Sequence, residues 1–251
     1  MKKAIIYLIE FIAIQLIGGY IVSMLWVLLG GSGYSTAQLI VTTSVVSIIT
    51  IVFFLVTHAA EVSPHWLRTR PWDVLFWSVI AALGTVIPSS WLLELMPKLP
   101  NLVEEEFDMI LSNRWGYLSV GLLAPLSEEL VLRGAVLRSL LQSSRLSPWG
   151  AIALSAVFFA LVHFNPAQMP HAFVIGLLLG WMYYRTGSIL PGVAFHWVNN
   201  TVAYVMYNFY PDPDMKLVEL FGNQRNVAAA IIFSLFILLP AIYQLNLRQK
   251  R

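Results

Sequence analysis

Three ionisable residues stand inside an apolar stretch: Glu128, Glu129 and Arg133, in Leu126-Ser127-Glu128-Glu129-Leu130-Val131-Leu132-Arg133-Gly134. At mid-bilayer each such group costs roughly 2.5–3.5 kcal/mol on insertion scales, so the three cost about 8–10 kcal/mol before pairing. Glu129 and Arg133 are four apart on one helical face and can pair. Glu128 is turned about 100° away and needs another partner. A purely structural Glu–Arg pair accounts for Glu129 and Arg133 and leaves Glu128 unexplained.

Two further apolar stretches carry polar side chains. One ends Phe158-Phe159-Ala160-Leu161-Val162-His163, and the other contains His196-Trp-Val-Asn199-Asn200 after Arg185-Thr-Gly-Ser-Ile-Leu-Pro191. His196 and Asn200 are four apart, so both can aim at one point. On an apolar helix two polar side chains are costly unless they meet partners or water. Together the three stretches supply two carboxylates, a guanidinium, two imidazoles and an amide. Peptide hydrolysis needs such a set: a base to activate water, and donors for the oxyanion. Glu128, His163 and His196 are also a candidate divalent-metal set, since zinc accepts Glu and His and can keep a position open for water. His58, His65 and His171 read most simply as interfacial residues. Gly176-x-x-x-Gly180 is a helix-packing signal.

The elements that hold these groups follow from composition. Hydrophobic residues are 58% and charged residues 11%, against about 45–50% and about 25% in soluble domains. The apolar residues come in long blocks, which predicts an all-α, polytopic membrane bundle of about eight transmembrane helices. The expected spans are roughly 4–29, 36–57, 73–96, 116–141, 149–164, 170–185, 189–209 and 227–246, in a single membrane domain covering 1–251. The first stretch follows Lys2 and Lys3 and is too long for a signal-peptide core, so it reads as a retained helix. Ten Lys and Arg residues fall on one side of these spans (Lys2, Lys3, Arg68, Arg70, Arg138, Arg145, Arg185, Arg248, Lys250, Arg251) and four on the other (Lys98, Arg114, Lys216, Arg225). That bias predicts both termini in the cytoplasm. Trp26, Trp72, Trp115 and Trp149 lie near span ends, as an aromatic belt would.

Between the third and fourth spans, Asn101-Leu-Val-Glu104 reads as a capping box. After it, Val103, Phe107, Ile110 and Leu111 recur opposite Glu104, Glu105 and Asp108, predicting a short interfacial helix. Cysteine is absent, which excludes disulfides, thiolate catalysis and Cys-based metal sites. The net charge of +2, with Lys and Arg in short loops, suggests no nucleic-acid partner.

Glu128-Glu129-x-x-x-Arg133, Phe159-x-x-x-His163 and His196-x-x-x-Asn200 occur in the order found in the CPBP (Abi) group. The chain resembles that family, which includes type II CAAX prenyl endopeptidases and bacteriocin-processing proteins. The likeness covers roughly 115–205, the catalytic core of spans four to seven, and is strengthened by Arg133-Gly134 and Arg185-Thr-Gly-Ser-Ile. Leu132 stands where relatives often carry Phe. The resemblance implies that Glu128, helped by His163, activates water, that His196 and Asn200 hold the oxyanion, and that Glu129 and Arg133 orient the site. It leaves open a zinc-dependent and a metal-free, glutamate-dependent mechanism. The resulting expectation is an intramembrane endopeptidase of the plasma or inner membrane, acting on a membrane-associated protein or peptide. Its rivals are a non-catalytic scaffold or immunity protein on the same fold, and a transporter. Nothing in the residues specifies an oligomeric state or a prenyl-binding signature.

Overall fold

The computed structural model describes residues 1–62, 72–212 and 215–248. His65, Arg68, Arg70, Lys250 and Arg251 therefore lie outside the described residues. Among the described residues there is no strand, and the chain runs as ten helices. These are α1 (Lys2–Leu28), α2 (Thr36–Val56), α3 (Trp72–Glu94), α4 (Glu104–Leu111), α5 (117–141), α6 (Pro148–Leu161), α7 (Met169–Thr186), α8 (Leu190–Phe209), α9 (Leu217–Phe221) and α10 (Gln224–Arg248).

Local chemistry sets several of these boundaries. Ser35 caps α2 by accepting from the Gln38 amide, and Ser147 caps α6 by accepting from Gly150, with Pro148 at the first helical position. Both side chains satisfy amides that a helix start leaves unpaired. Gly187, at φ 65°, terminates α7 in a left-handed conformation that glycine adopts at little cost. The expected short helix is present as α4, but it begins at Glu104, two residues later than a capping box at Asn101 would start it. Its N-cap is Val103, which makes no side-chain cap bond. Asn101 is instead engaged by Asn165, whose amide donates to it at 2.8 Å.

The apolar surface is distributed inside out. Leu16, Ile17, Phe233 and Phe236 on α1 and α10 are each more than half exposed, as suits helices facing hydrocarbon. Trp72, Trp115 and Trp149 are also exposed near helix ends. Four helices, α1, α2, α3 and α10, are long and apolar enough to cross a membrane. The other four of the eight expected spans, α5 to α8, fall short of that by length or polarity. At 14 residues, α6 is only about 21 Å long, against a hydrocarbon core of about 30 Å. These four helices carry the polar motifs.

At the centre is α5. Every residue from Leu130 to Leu137 is buried, within packing contact of α1, α2, α6 and α7. Two stretches of α5, Tyr117–Leu123 and Leu130–Leu137, widen into π-helical turns on either side of the Glu128-Glu129 pair. Such turns re-aim side chains and recur at functional sites. Against α6, Gly176 and Gly180 of α7 leave no room for a Cβ: one at Gly176 would stand 3.1 Å from the Ala156 Cα. The two backbones meet closely there, as the small-residue spacing suggested.

Candidate active site

The two adjacent glutamates of α5 have different surroundings. Glu129 is fully buried. Its Oε1 accepts from the Arg133 guanidinium at 2.7 Å and lies 3.2 Å from His196 Nδ1 on α8. Among the described residues its Oε2 has no hydrogen-bond partner; it faces Gly192, where a Cβ would come within 2.6 Å of it. A side chain at 192 would therefore push the carboxylate aside. Glu128 is half-buried and faces a cavity of about 390 Å³.

Arg133 is as buried as Glu129. Besides Glu129 it reaches the Gly176 carbonyl at 3.4 Å, and its guanidinium stacks 4.3 Å from the centre of the Phe159 ring. Phe159 also presents its ring in T-shaped contact to His163 (5.1 Å) and His196 (5.6 Å). One aromatic ring thus fixes the cation and both imidazoles, a role for Phe159 beyond marking a motif.

His163 lies in the turn after α6, and its Nδ1 is 2.7 Å from the Phe159 carbonyl. A carbonyl only accepts, so Nδ1 carries the proton and Nε2 of the neutral ring is left as an acceptor. In His196 the Nδ1 faces the Glu129 carboxylate and likewise carries a proton. Its Nε2 lies 3.8 Å from Glu128 Oε2, beyond hydrogen-bond range. Asn200 donates one amide hydrogen to the Val120 carbonyl at 2.9 Å.

Glu128, His163, His196 and Asn200 all line the same cavity. The expected spans set His163 and His196 toward opposite faces of the membrane. They meet because α6 stops at Leu161, short of a full crossing, so the turn holding His163 lies within the bundle. Glu129 and Arg133 stand behind the cavity wall, and neither lines it. Phe107 and Leu111 of α4 line the wall too, so the short helix covers the cavity while its acidic residues point elsewhere. Asn165, buried after His163, ties this cover down by accepting from the Leu102 amide at 3.0 Å.

Two residues of the cavity wall were missed from sequence. His171, read as interfacial, lines the cavity and lies beside Asn199, His163 and His196. Asn199 directly precedes Asn200 and lines the wall with it. Spacing gave no signal for His171, which lies five residues before Gly176 and off the face of Gly176 and Gly180. His58 is exposed and lies outside the site.

Among the described residues no group of three His, Asp or Glu side chains is disposed to hold a metal ion. Glu128, His163 and His196 share a cavity, but as placed they do not fit one.

The helical bundle thus brings the carboxylate of Glu128, three imidazoles and the amides of Asn199 and Asn200 around one cavity, the kinds of group that hydrolysis requires. Residues 110–202 match the family model for Rce1-like proteins, described as type II CAAX prenyl endopeptidase Rce1-like. The match bears out the resemblance of this part of the chain to the CAAX protease family and supports a CAAX-type hydrolase. Comparison with curated proteins and with solved structures found no match.

Proposed function

We propose that the protein is a multi-pass intramembrane endopeptidase that hydrolyses a peptide bond in a membrane-associated protein or peptide. The observation carrying this reading is the convergence of Glu128, His163, His196 and Asn200 on one cavity, within the segment matched to the endopeptidase family.

Glu128 takes a proton from the attacking water, and the free Nε2 of His163 accepts a hydrogen bond from that water. This divides the work between a carboxylate and a neutral imidazole. The tetrahedral oxyanion accepts from the second amide hydrogen of Asn200 and from His196 Nε2. With Nδ1 already committed to Glu129, His196 donates from Nε2 only when both ring nitrogens are protonated. Glu128 then passes its proton to the departing amine as the C–N bond breaks. Glu129, Arg133 and Phe159 hold His196 in place; Glu129 and Arg133 act from behind the cavity wall, while Phe159 also lines it.

The test is cleavage of a fluorogenic peptide library by detergent-purified protein, comparing wild type with Glu128→Gln, each with and without a zinc chelator. Loss of the base is expected to lower the rate by about 10²-fold or more. The chelator is expected to leave the wild-type rate unchanged, and sensitivity to it would assign a metal role. Folded wild type that cleaves nothing, or a variant that cleaves equally well, would favour a non-catalytic scaffold.

A further inference from the structure

Three cavities meet at His171. It lines the candidate active site, an apolar groove of about 460 Å³ among α3, α6 and α7, and a cavity of about 670 Å³ among α3, α8 and α9. Its buried Nδ1 has no hydrogen-bond partner among the described residues, and Asn199 lies beside the ring. His171, Asn199 and Ala203 are common to the walls of the active-site cavity and the 670 Å³ cavity. Ala203 is small and exposed.

We propose that the 670 Å³ cavity is the subsite for the stretch of peptide flanking the scissile bond, entered past His171 and Asn199. The proposal rests on the peptidase reading above. A peptide brings an N–H and a C=O with every residue, and each needs a partner once removed from water. The apolar groove offers few: among Leu92, Leu93, Met96, Val157 and Leu161 the side-chain polar groups are those of Ser89 and His171. The larger cavity distributes Ser90, Asn199, Tyr207, Tyr210 and Lys216 among apolar side chains such as Val86, Val202, Met206 and Leu220. That mixture suits main-chain hydrogen bonding combined with apolar side-chain contact, and the volume lies within the roughly 300–1,000 Å³ typical of ligand sites. The cavity is also held open from its far side: Glu94 at the end of α3 accepts from the Leu217 amide at 2.6 Å and pins α9 in place.

Two measurements on the full-length protein test the proposal. In the first, a cleaved peptide is trimmed residue by residue from each end in turn, and kcat/KM is compared for long and short forms. Wild type is expected to prefer the long form by about tenfold or more on one flank. Met206→Trp and Leu220→Trp each fill the cavity, and each should bring the long-to-short ratio toward one. A ratio near one in wild type, or a wild-type ratio in both variants, overturns the subsite.

The second measurement does not depend on turnover or on the filled variants folding. A peptide carrying a benzophenone on that flank is photo-crosslinked to Glu128→Gln protein. Adducts within residues 206–221 are expected, where Met206 and Met215 line the larger cavity and not the active-site cavity. Adducts confined to 157–161 or 173–174, the walls of the apolar groove, overturn the proposal, as does the absence of any adduct. Wild type that cleaves nothing but crosslinks in 206–221 would remove the peptidase reading and leave the subsite standing as a peptide-binding site. Cleavage without flank dependence would do the reverse.

Discussion

Glu129 Oε1 lies 3.2 Å from His196 Nδ1, and the same oxygen accepts from Arg133 at 2.7 Å. The carboxylate therefore couples a buried cation on its own helix to an imidazole on another. Removing one partner of a buried ion pair costs about 3–5 kcal/mol, because the other charge is left uncompensated. Glu129→Gln and Arg133→Met are each expected to lower the melting temperature in detergent and cut peptide cleavage by at least about tenfold. The double variant should regain much of the stability lost by either single one, without regaining activity. A double-mutant cycle on thermal unfolding checks this, and strictly additive losses would show the pair to be uncoupled.

Gly192→Ala sets two effects against each other. In an exposed helix interior the change would gain about 0.8–1 kcal/mol from helix propensity. Here the new Cβ would stand 2.6 Å from Glu129 Oε2, which must move. Because that carboxylate also positions His196, steric displacement outweighs propensity. The expected result is a lower melting temperature and at least about a tenfold drop in kcat, with a smaller change in KM.

Asn165 joins the segment before α4 to the turn after His163 through the Leu102 amide and Asn101. Asn165→Ala removes both bonds, whose partners belong to the exposed residues Asn101 and Leu102, so the cost is that of the bonds themselves, about 0.5–1.5 kcal/mol each. Hydrogen exchange is expected to accelerate in residues 100–111 while the protection of α5 is retained. Unchanged exchange in 100–111 would mean that α4 is held by its other contacts, such as the bond from the Asn208 amide to the Leu111 carbonyl.

The chain has no cysteine, so single introduced cysteines report topology without background. With both termini cytoplasmic, as the Lys and Arg distribution predicts, Glu105→Cys should react with an impermeant maleimide from outside intact cells. Ser143→Cys should react only after permeabilisation. The reverse pattern would invert the orientation and open the candidate cavity, which α4 covers, to the cytoplasm.

The helices were legible because hydropathy blocks are long and hydrocarbon thickness limits their length. The expected 36–57 and 189–209 became Thr36–Val56 and Leu190–Phe209. The five-residue α9 left no periodic signal to read. Motif spacing correctly put Glu129 beside Arg133, and His196 on the same cavity wall as Asn200, since each pair is local to one helix. Relations between helices were not legible. Nothing in the spacing indicates that Phe159 touches Arg133, His163 and His196 together, that Asn101 pairs with Asn165 rather than capping α4, or that His171 faces the cavity. A short fifth span and the packing signal at Gly176 were readable, but which side chains they bring together is set by the packed bundle.

The placement of Glu129 and Arg133 on the same helix bears on how the chain enters the membrane. α5 precedes α6, α7 and α8 in the chain, so Phe159, the Gly176 carbonyl and Gly192 are synthesised after the charges they enclose. A cation that relied on those later helices would wait at the translocon uncompensated, at roughly 2.5–3.5 kcal/mol for each charge. An acid one turn away on the same segment neutralises it as soon as α5 is helical. The later helices then close around a pair that is already formed, so insertion of α5 does not have to await the rest of the site.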